Sequence, residues 1–396
     1  MMKKRVYCDF AATTYVSSEV LNEMLPCFNT IFGNASSLHG YGRDAVALVD
    51  KARDRVQKAI GAEKPSEVYF TSGGTEANNW AIKGLARANK EKGKHIITSA
   101  IEHDSVLEAC KQLEEEGFEV TYLPVDSKGL VSITDLIHNL RPTTCLVSVM
   151  AVNNEIGTIQ NIKTIANLAH EYGAIFHTDA VQALGAIKLN VKDMEIDALS
   201  ISSHKIYGPK GVGALYVKQG IKIDPIIAGG SQERGLRGGT SNVPGIVGFG
   251  KAIEIATRDL MINQKKLKSI RLYFLSQVME KIPYVTVNGH PYQKVQGTVN
   301  LSFEMIEAEA LLMLLDMEGI AVSTGSACTS GSPLPSHVLK AIGLSNEFAK
   351  GSLRFSFGKS TTKADVDYII EKLVASVAKL REMSPVSKAG RRKKKA

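Results

Sequence analysis

Residues 174–205 read AIFHTDAVQALGAIKLNVKDMEIDALSISSHK. Two β-rich runs stand in this stretch, Ala174–His177 and Ala198–Ser202. A chemically capable residue follows each: Asp179 after the first, and Lys205 twenty-six residues later, after the second. The same texture extends outward from about residue 66 to 217, with further runs at Glu67–Phe70, His95–Thr98, Glu119–Leu123, Thr144–Val149 and Gly213–Val217. Near-continuous apolar runs such as CLVSVM suit strands covered on both faces. Between several of them apolar residues recur three and four apart, as at Ile162, Ile165, Ala166, Leu168 and Ala169. Strands alternating with amphipathic helices predict an α/β fold on a mostly parallel, doubly wound sheet.

Beyond residue 217 the pattern changes. A long helical pattern runs from Pro244 to Met279. Short strands follow at Val285–Asn288, Gly297–Phe303, Ile320–Ser323 and Ser352–Phe357, interleaved with helices that end in Asp365–Arg381. This predicts a smaller α+β unit reached through a long connecting helix. The 396 residues exceed what one core usually holds. The expected division is a large unit over 14–255, a small one made of 1–13 and 256–386, and a basic tail over 387–396.

Composition narrows the function. Hydrophobic residues at 44% and charged residues at 22% are an ordinary globular balance. No apolar run approaches the ~20 residues that span a bilayer, and MMKKRVYCDFAATT has no apolar core of a signal peptide. The net charge of +8 suggests nucleic acid, but six positive charges crowd into the last nine residues (Lys388, Arg391, Arg392, Lys393, Lys394 and Lys395). The body is therefore close to neutral. The tail reads as a solvated segment that can meet RNA or acidic surfaces and otherwise binds nothing in particular. Five cysteines, at 8, 27, 110, 145 and 328, are odd in number with no CxxC pair. Neither a disulfide framework nor a zinc site is indicated, which fits a reducing cytoplasm. Four lie in apolar or helical-looking stretches and read as small hydrophobes. The fifth, Cys328, lies among small, polar and glycine residues that offer no apolar slot.

Three segments carry chemistry. In TSGGTEANNWAIKG (71–84) a predicted strand gives way to a helix. Gly73 and Gly74 permit a tight turn and Thr75 offers a hydroxyl at the helix start, where free N–H groups and the dipole favour a phosphate. A plain glycine turn explains the same residues. Asp179 falls at the carboxyl end of a predicted strand, where α/β sheets bind ligands, although a helix N-cap is the simpler reading of that aspartate alone. Lys205 follows Ser202, Ser203 and His204 at another strand end, where a lone lysine is ordinarily a surface charge. Pyridoxal phosphate (PLP) needs a lysine for its Schiff base, an acid for its pyridine nitrogen and a phosphate cradle. His103, in IEHDS, adds a polar aromatic to stack on its ring.

The chain resembles the cysteine desulfurases of the NifS/IscS family, within the class V aminotransferases of PLP fold type I. The resemblance rests on YCDFAATT, TSGGTEAN, EHDSV, VNNEIG, HTDAVQ, SSHKIYGPKG, RGGTSN, STGSACTSGS and LRFSFG, in order and spacing, from near the N-terminus to about Pro385. It implies a homodimeric transferase that converts L-cysteine to L-alanine and leaves a persulfide on Cys328. By this resemblance Lys205 attaches the cofactor and moves protons, while Asp179 pairs with the pyridine nitrogen and Gln182 touches the ring hydroxyl. His103 stacks on the ring and acts as acid or base. Gly74, Thr75, Ser202 and His204 hold the phosphate, and Thr240 reaches the phosphate of the neighbouring subunit. Asn154 lies against cofactor and substrate, and Arg354 holds the substrate carboxylate.

Bland readings stand beside these: a turn for Asn154, a packed core for His204, a surface position for Arg354. The implied partner is an iron–sulfur scaffold or another sulfur acceptor, such as one serving tRNA thiolation. No resident metal is expected, Cys328 meeting an iron–sulfur cluster only in passing. The Cys328 loop resembles the long-loop members. The chain ends in AGRRKKKA where bacterial housekeeping members carry a longer segment that helps dock a scaffold. Alternative activities are selenocysteine lysis or another class V transamination, and, from a different class, a sulfur-relay or RNA-associated binding protein.

Overall fold

The computed structural model describes residues 4–324 and 335–383. Cys328 and the basic tail lie outside the described residues. Strands are numbered along the chain: β1 (Val6–Tyr7), β2 (Val68–Thr71), β3 (His95–Ser99), β4 (Glu119–Leu123), β5 (Thr144–Ser148), β6 (Ile175–Asp179), β7 (Ala198–Ser202), β8 (Gly213–Val217), β9 (Val285–Asn288), β10 (Thr298–Phe303), β11 (Ile320–Ala321) and β12 (Ser352–Ser356).

Seven strands form one sheet in the order β2-β8-β7-β6-β5-β3-β4. All neighbours are parallel except β8, which runs antiparallel to both β7 and β2. The sheet is thus mostly parallel, and its seven strands overlap the seven β-rich runs of the sequence. Side chains alternate between two cores, as strand pleating requires. Phe70, Ile97, Val147, Phe176 and Leu199 point into one, closed by the helices Gly40–Ile60, Ile162–Glu171 and Val243–Arg258. Ile96, Leu146, Ile175, Ala198 and Leu215 point into the other, closed by Gly74–Ala88 and Asp104–Glu115.

A separate core gathers Phe274, Leu301, Leu311, Leu353, Phe355 and Ile369. It packs the antiparallel sheet β12-β10-β9 against the helices Leu260–Lys281, Ala308–Met317 and Lys363–Met383. The N-terminal segment joins this core through β1, which pairs with β11, and through Asp9, which bridges to Ser356.

The long helix predicted over 244–279 is two helices, Val243–Arg258 and Leu260–Lys281, jointed at Asp259. The first buries Ile246, Phe249 and Ile253 in the large-sheet core, and the second buries Ile270, Phe274 and Val278 in the small one. One straight rod cannot aim its apolar stripe at both. The Arg258 guanidinium closes bidentately on the Asp259 carboxylate at the joint, at 2.7 and 2.9 Å.

Candidate active site

The strand order places the carboxyl ends of β2, β3, β5, β6 and β7 on one edge, the position at which α/β sheets present ligand-binding loops. A cleft of about 240 Å³ opens there. Its sheet side is lined by Gly74, Thr75, His103, Asp179, Ser202 and Lys205. Asn154, Gln182, His204 and Arg354 complete the expected set within the same cleft. Thr240 is exposed and lies outside the cleft of its own chain.

Asp179 divides its carboxylate between two tasks. Oδ1 accepts the Val181 N–H at 2.9 Å, in a turn and not at the helix N-cap of the bland reading, since among the described residues no helix lies between β6 and β7. Oδ2 accepts from the Asn78 amide at 2.6 Å. Asn78 is one turn past Gly74 on the same helix, so the helix that begins at the glycines also aims the aspartate. Sequence reasoning quoted Asn78 within a motif and gave it no role. The signal available was its i,i+4 spacing from Gly74.

His103 caps the helix Asp104–Glu115. Its Nδ1 accepts the Ser105 N–H at 3.1 Å and lies 2.8 Å from the Ser105 hydroxyl, which fixes the ring plane. The neutral imidazole therefore carries its proton on Nε2. Ser105 also meets Asn78 at 2.9 Å, so Asp179, Asn78, Ser105 and His103 form one continuous chain of contacts.

Lys205 stands on a short turn directly after β7, and its Nζ donates to the carbonyls of Ala11 (2.5 Å) and Ala12 (2.8 Å). Gln182 Nε2 donates to the Ala11 carbonyl as well, at 2.9 Å. The N-terminal strap is pinned to the lysine turn by Thr14, whose N–H and hydroxyl both reach the His204 carbonyl. Burial, then the Lys205 and Lys210 charges, bring the His204 imidazole down to about 4, so it is neutral at physiological pH.

Arg354, on β12, is 2% exposed rather than a surface residue. Its Nη2 pairs with Asp9 at 2.8 Å and its Nη1 donates to the Asn154 carbonyl at 2.9 Å. The register explains the placement: the isolated bridge between Ser323 and Arg354 and the contact of β12 with Asp9 turn the guanidinium into the cleft. Asp9 was another omission of the sequence reading, since nothing in the sequence links positions 345 residues apart.

Two buried carboxyls flank the cleft. Burial pushes Glu102 up to about 8; its Oε1 accepts from the Ser99 hydroxyl at 2.5 Å and the Met150 N–H at 2.9 Å. Glu155, also raised by burial, accepts from Ser336 at 2.6 Å. Ser336 caps the helix His337–Ala341, and His337 Nε2 lies 2.9 Å from the Glu102 carbonyl. Cys8, Cys27, Cys110 and Cys145 are buried, and burial raises every one of these thiols, Cys110 to about 12 and Cys145 to about 11. None is poised as a thiolate.

The cleft fits a phosphorylated pyridine aldehyde. The helix Gly74–Ala88 starts at Gly73 without a side-chain cap, and the space at Gly73 is open, with nothing within 4 Å of a Cβ placed there. Ser202 Oγ is buried at the same edge with no partner, a donor suited to a phosphate oxygen. Arg354 Nε is likewise buried and unpartnered, which suits a carboxylate. Among the described residues no cluster of metal-ligating side chains is present, and no helix is long and apolar enough to cross a membrane.

Comparison with known proteins gives a consistent result. Residues 6–369 match the family described as Aminotransferase class-V. The chain is 53% identical to the Cysteine desulfurase IscS of Clostridium botulinum over 387 residues, 97% of each chain. It is 52% identical to the protein of the same name from Methanosarcina thermophila, over 97% of this chain and 95% of that one. A solved structure described as a NifS-like protein superimposes with a TM-score of 0.89 at 39% identity, covering 95% of this chain and all of the other.

Proposed function

The chain belongs to the class-V aminotransferase family, and from that premise we propose how its cleft performs the reaction of a PLP-dependent cysteine desulfurase, converting L-cysteine to L-alanine. Its fold is PLP fold type I. The observation that carries the reading is the convergence of Lys205, Asp179, His103, the uncapped helix start at Gly74 and Arg354 on one cleft. Pyridoxal phosphate, when bound, supplies an electron sink for bonds at the substrate's α- and β-carbons.

Lys205 would hold the cofactor covalently through Nζ, and the same amine would move protons at the substrate. Asp179, its Oδ2 oriented by Asn78, would keep a proton on the pyridine nitrogen. Gln182 meets the ring hydroxyl. His103 would face the ring and would exchange a proton at Nε2. Gly74, Thr75, Ser202 and neutral His204 bind the phosphate. Arg354 takes the substrate carboxylate, with Asn154 beside it. Cys328, as a thiolate, would attack the substrate sulfur, forming an S–S bond on the enzyme as the Cβ–S bond breaks, its electron pair staying with the carbon that is then protonated to alanine.

Three further assignments rest on the same reading. Residues 14–255 form the large unit, 1–13 and 256–386 the small one, and 387–396 a basic tail. The enzyme is a cytoplasmic homodimer in which Thr240 serves the partner's phosphate site. Leu21, Leu25, Phe28, Phe32, Leu38 and Tyr41 are 45–92% exposed within one short segment, an apolar surface that a second copy would cover. The persulfide passes to an acceptor protein, an iron–sulfur scaffold or a tRNA-thiolation partner. Product analysis tests the activity: L-cysteine with a thiol reductant should yield alanine and sulfide in equal amounts. A keto acid as the product would contradict it.

A further inference from the structure

Thr14 stands on the N-terminal strap, is 3% exposed and does not line the cofactor cleft. Its Oγ1 donates to the His204 carbonyl at 2.7 Å and accepts the Tyr207 N–H at 2.8 Å. Its own N–H reaches the same His204 carbonyl at 2.9 Å. One residue thus grips the backbone on both sides of Lys205, one position before it and two after.

The gripped turn is a Schellman closure with Lys205 inside it. The Gly208 N–H returns to the Ser203 carbonyl at 3.2 Å, and Tyr207 is the left-handed residue, with a φ of +66°. In such a closure the N–H of the left-handed residue bonds directly to the carbonyl three residues earlier, which here would join Tyr207 to His204. The Thr14 hydroxyl stands between these two groups instead, accepting from one and donating to the other. It holds the turn open by the width of a hydroxyl.

A left-handed tyrosine also needs outside support, because the usual residue at that place is glycine. Its carbonyl accepts the Ser17 N–H at 3.0 Å, its hydroxyl accepts the Lys359 N–H at 2.8 Å, and the Tyr15 ring packs edge-on at 5.1 Å. Strained backbone of this kind persists only where its surroundings over-determine it. The other end of the strap is fixed to β12, where the Ala11 N–H donates to the Ser356 hydroxyl at 2.9 Å. Thr14 is therefore a fixed post and not a passenger of the turn.

We propose that Thr14 is a positioning residue for Lys205: its hydroxyl, inserted between the His204 carbonyl and the Tyr207 N–H, sets the width of the turn and so aims the amine that moves protons at the substrate. The proposal rests on the reading of Lys205 as the cofactor lysine. Without the hydroxyl the two backbone groups lose their partner or close on each other, and either change displaces the Lys205 stem.

The test follows a proton transfer that needs Lys205 and the cofactor but not Cys328. It is the exchange of the α-hydrogen of L-alanine, the reaction product, in heavy water, read by proton NMR on PLP-saturated holoenzyme. Thr14→Val removes the hydroxyl and keeps the branched shape, and Thr14→Ser keeps the hydroxyl. In Thr14→Val the saturating exchange rate should fall about 10- to 100-fold, the loss expected for a misplaced reacting group. The half-saturating alanine concentration should change little, because Arg354 is untouched. Thr14→Ser should exchange at close to the wild-type rate, and all three proteins should show the protein-linked absorption. A purely structural role would lower the melting temperature of Thr14→Val and spare its exchange rate. An unchanged rate in Thr14→Val would overturn the proposal, as would an equal fall in Thr14→Ser, since the hydroxyl would then not be the agent. Should Thr14→Val not fold, Thr14→Ala is read in its place. A wild type that exchanges the α-hydrogen yet makes no alanine from cysteine would contradict the desulfurase activity alone, and the Thr14 comparison would still decide. A wild type that shows no exchange would overturn the role of Lys205 and this proposal with it.

Discussion

The two walls of the cleft are built by different means. On the sheet wall, Asp179, Ser202 and Lys205 sit at or within three residues of a strand end, and Gly74 and His103 open or cap helices that follow strands. Local rules of strand, turn and cap place each of them. On the opposite wall Arg354 points inward because β12 sits between β10 and the N-terminal segment, and Asp9, from the far end of the chain, holds its guanidinium. The first wall is a product of short-range order and the second of long-range pairing. Substitutions on the first should affect cofactor retention, and substitutions on the second should affect substrate binding.

The largest effect should come from Lys205→Ala. Without the amine no covalent link to the cofactor forms, so the protein-linked absorption and all turnover should vanish together. A purified variant that retains the chromophore through the protein would break the assignment.

Arg354→Ala should leave that chromophore intact and raise the cysteine concentration for half-maximal rate by roughly 10- to 100-fold, the loss of a charge-assisted carboxylate contact worth about 1.5–3 kcal/mol. The variant also strands Asp9 beside the cleft, adding repulsion toward the substrate carboxylate. An unchanged concentration dependence would merge the two walls into one.

Asn78→Ala should act on the sheet wall and more mildly. It removes one donor from Asp179 Oδ2 while the Val181 N–H stays on Oδ1. Cofactor affinity should fall by about 10-fold, on the order of 1.5 kcal/mol, with little change in the cysteine dependence at saturating cofactor. A shift confined to the cysteine dependence would contradict the division.

The same division marks how far the sequence could be read. Each strand of the large sheet was anticipated to within two residues at either end, because apolar runs between helical patterns state their own period. Asp179 and Lys205 stood out for their positions after such runs, and His103 as a polar aromatic suited to stack on the cofactor ring. Asn78 and Ser105 did not, because a helix face says nothing of which neighbouring strand end it will meet. Asp9 was hidden for a stronger reason, since its partner is fixed only once β1, β11 and β12 have assembled. The joint at Asp259 escaped because the apolar pattern runs through it, and only the two separate cores require the bend.

In the proposed reaction the cleft holds the cofactor while a thiol from elsewhere in the chain accepts the sulfur. The most direct measurement is the alanine yield from L-cysteine by Cys328→Ser loaded with PLP. The protein-linked absorption should match wild type, because Lys205, Asp179 and the phosphate seat are untouched. Added cysteine should still perturb that spectrum, yet alanine should fall to background, because a hydroxyl cannot accept sulfur as a persulfide. Alanine formed at the wild-type rate by this variant would contradict the mechanism.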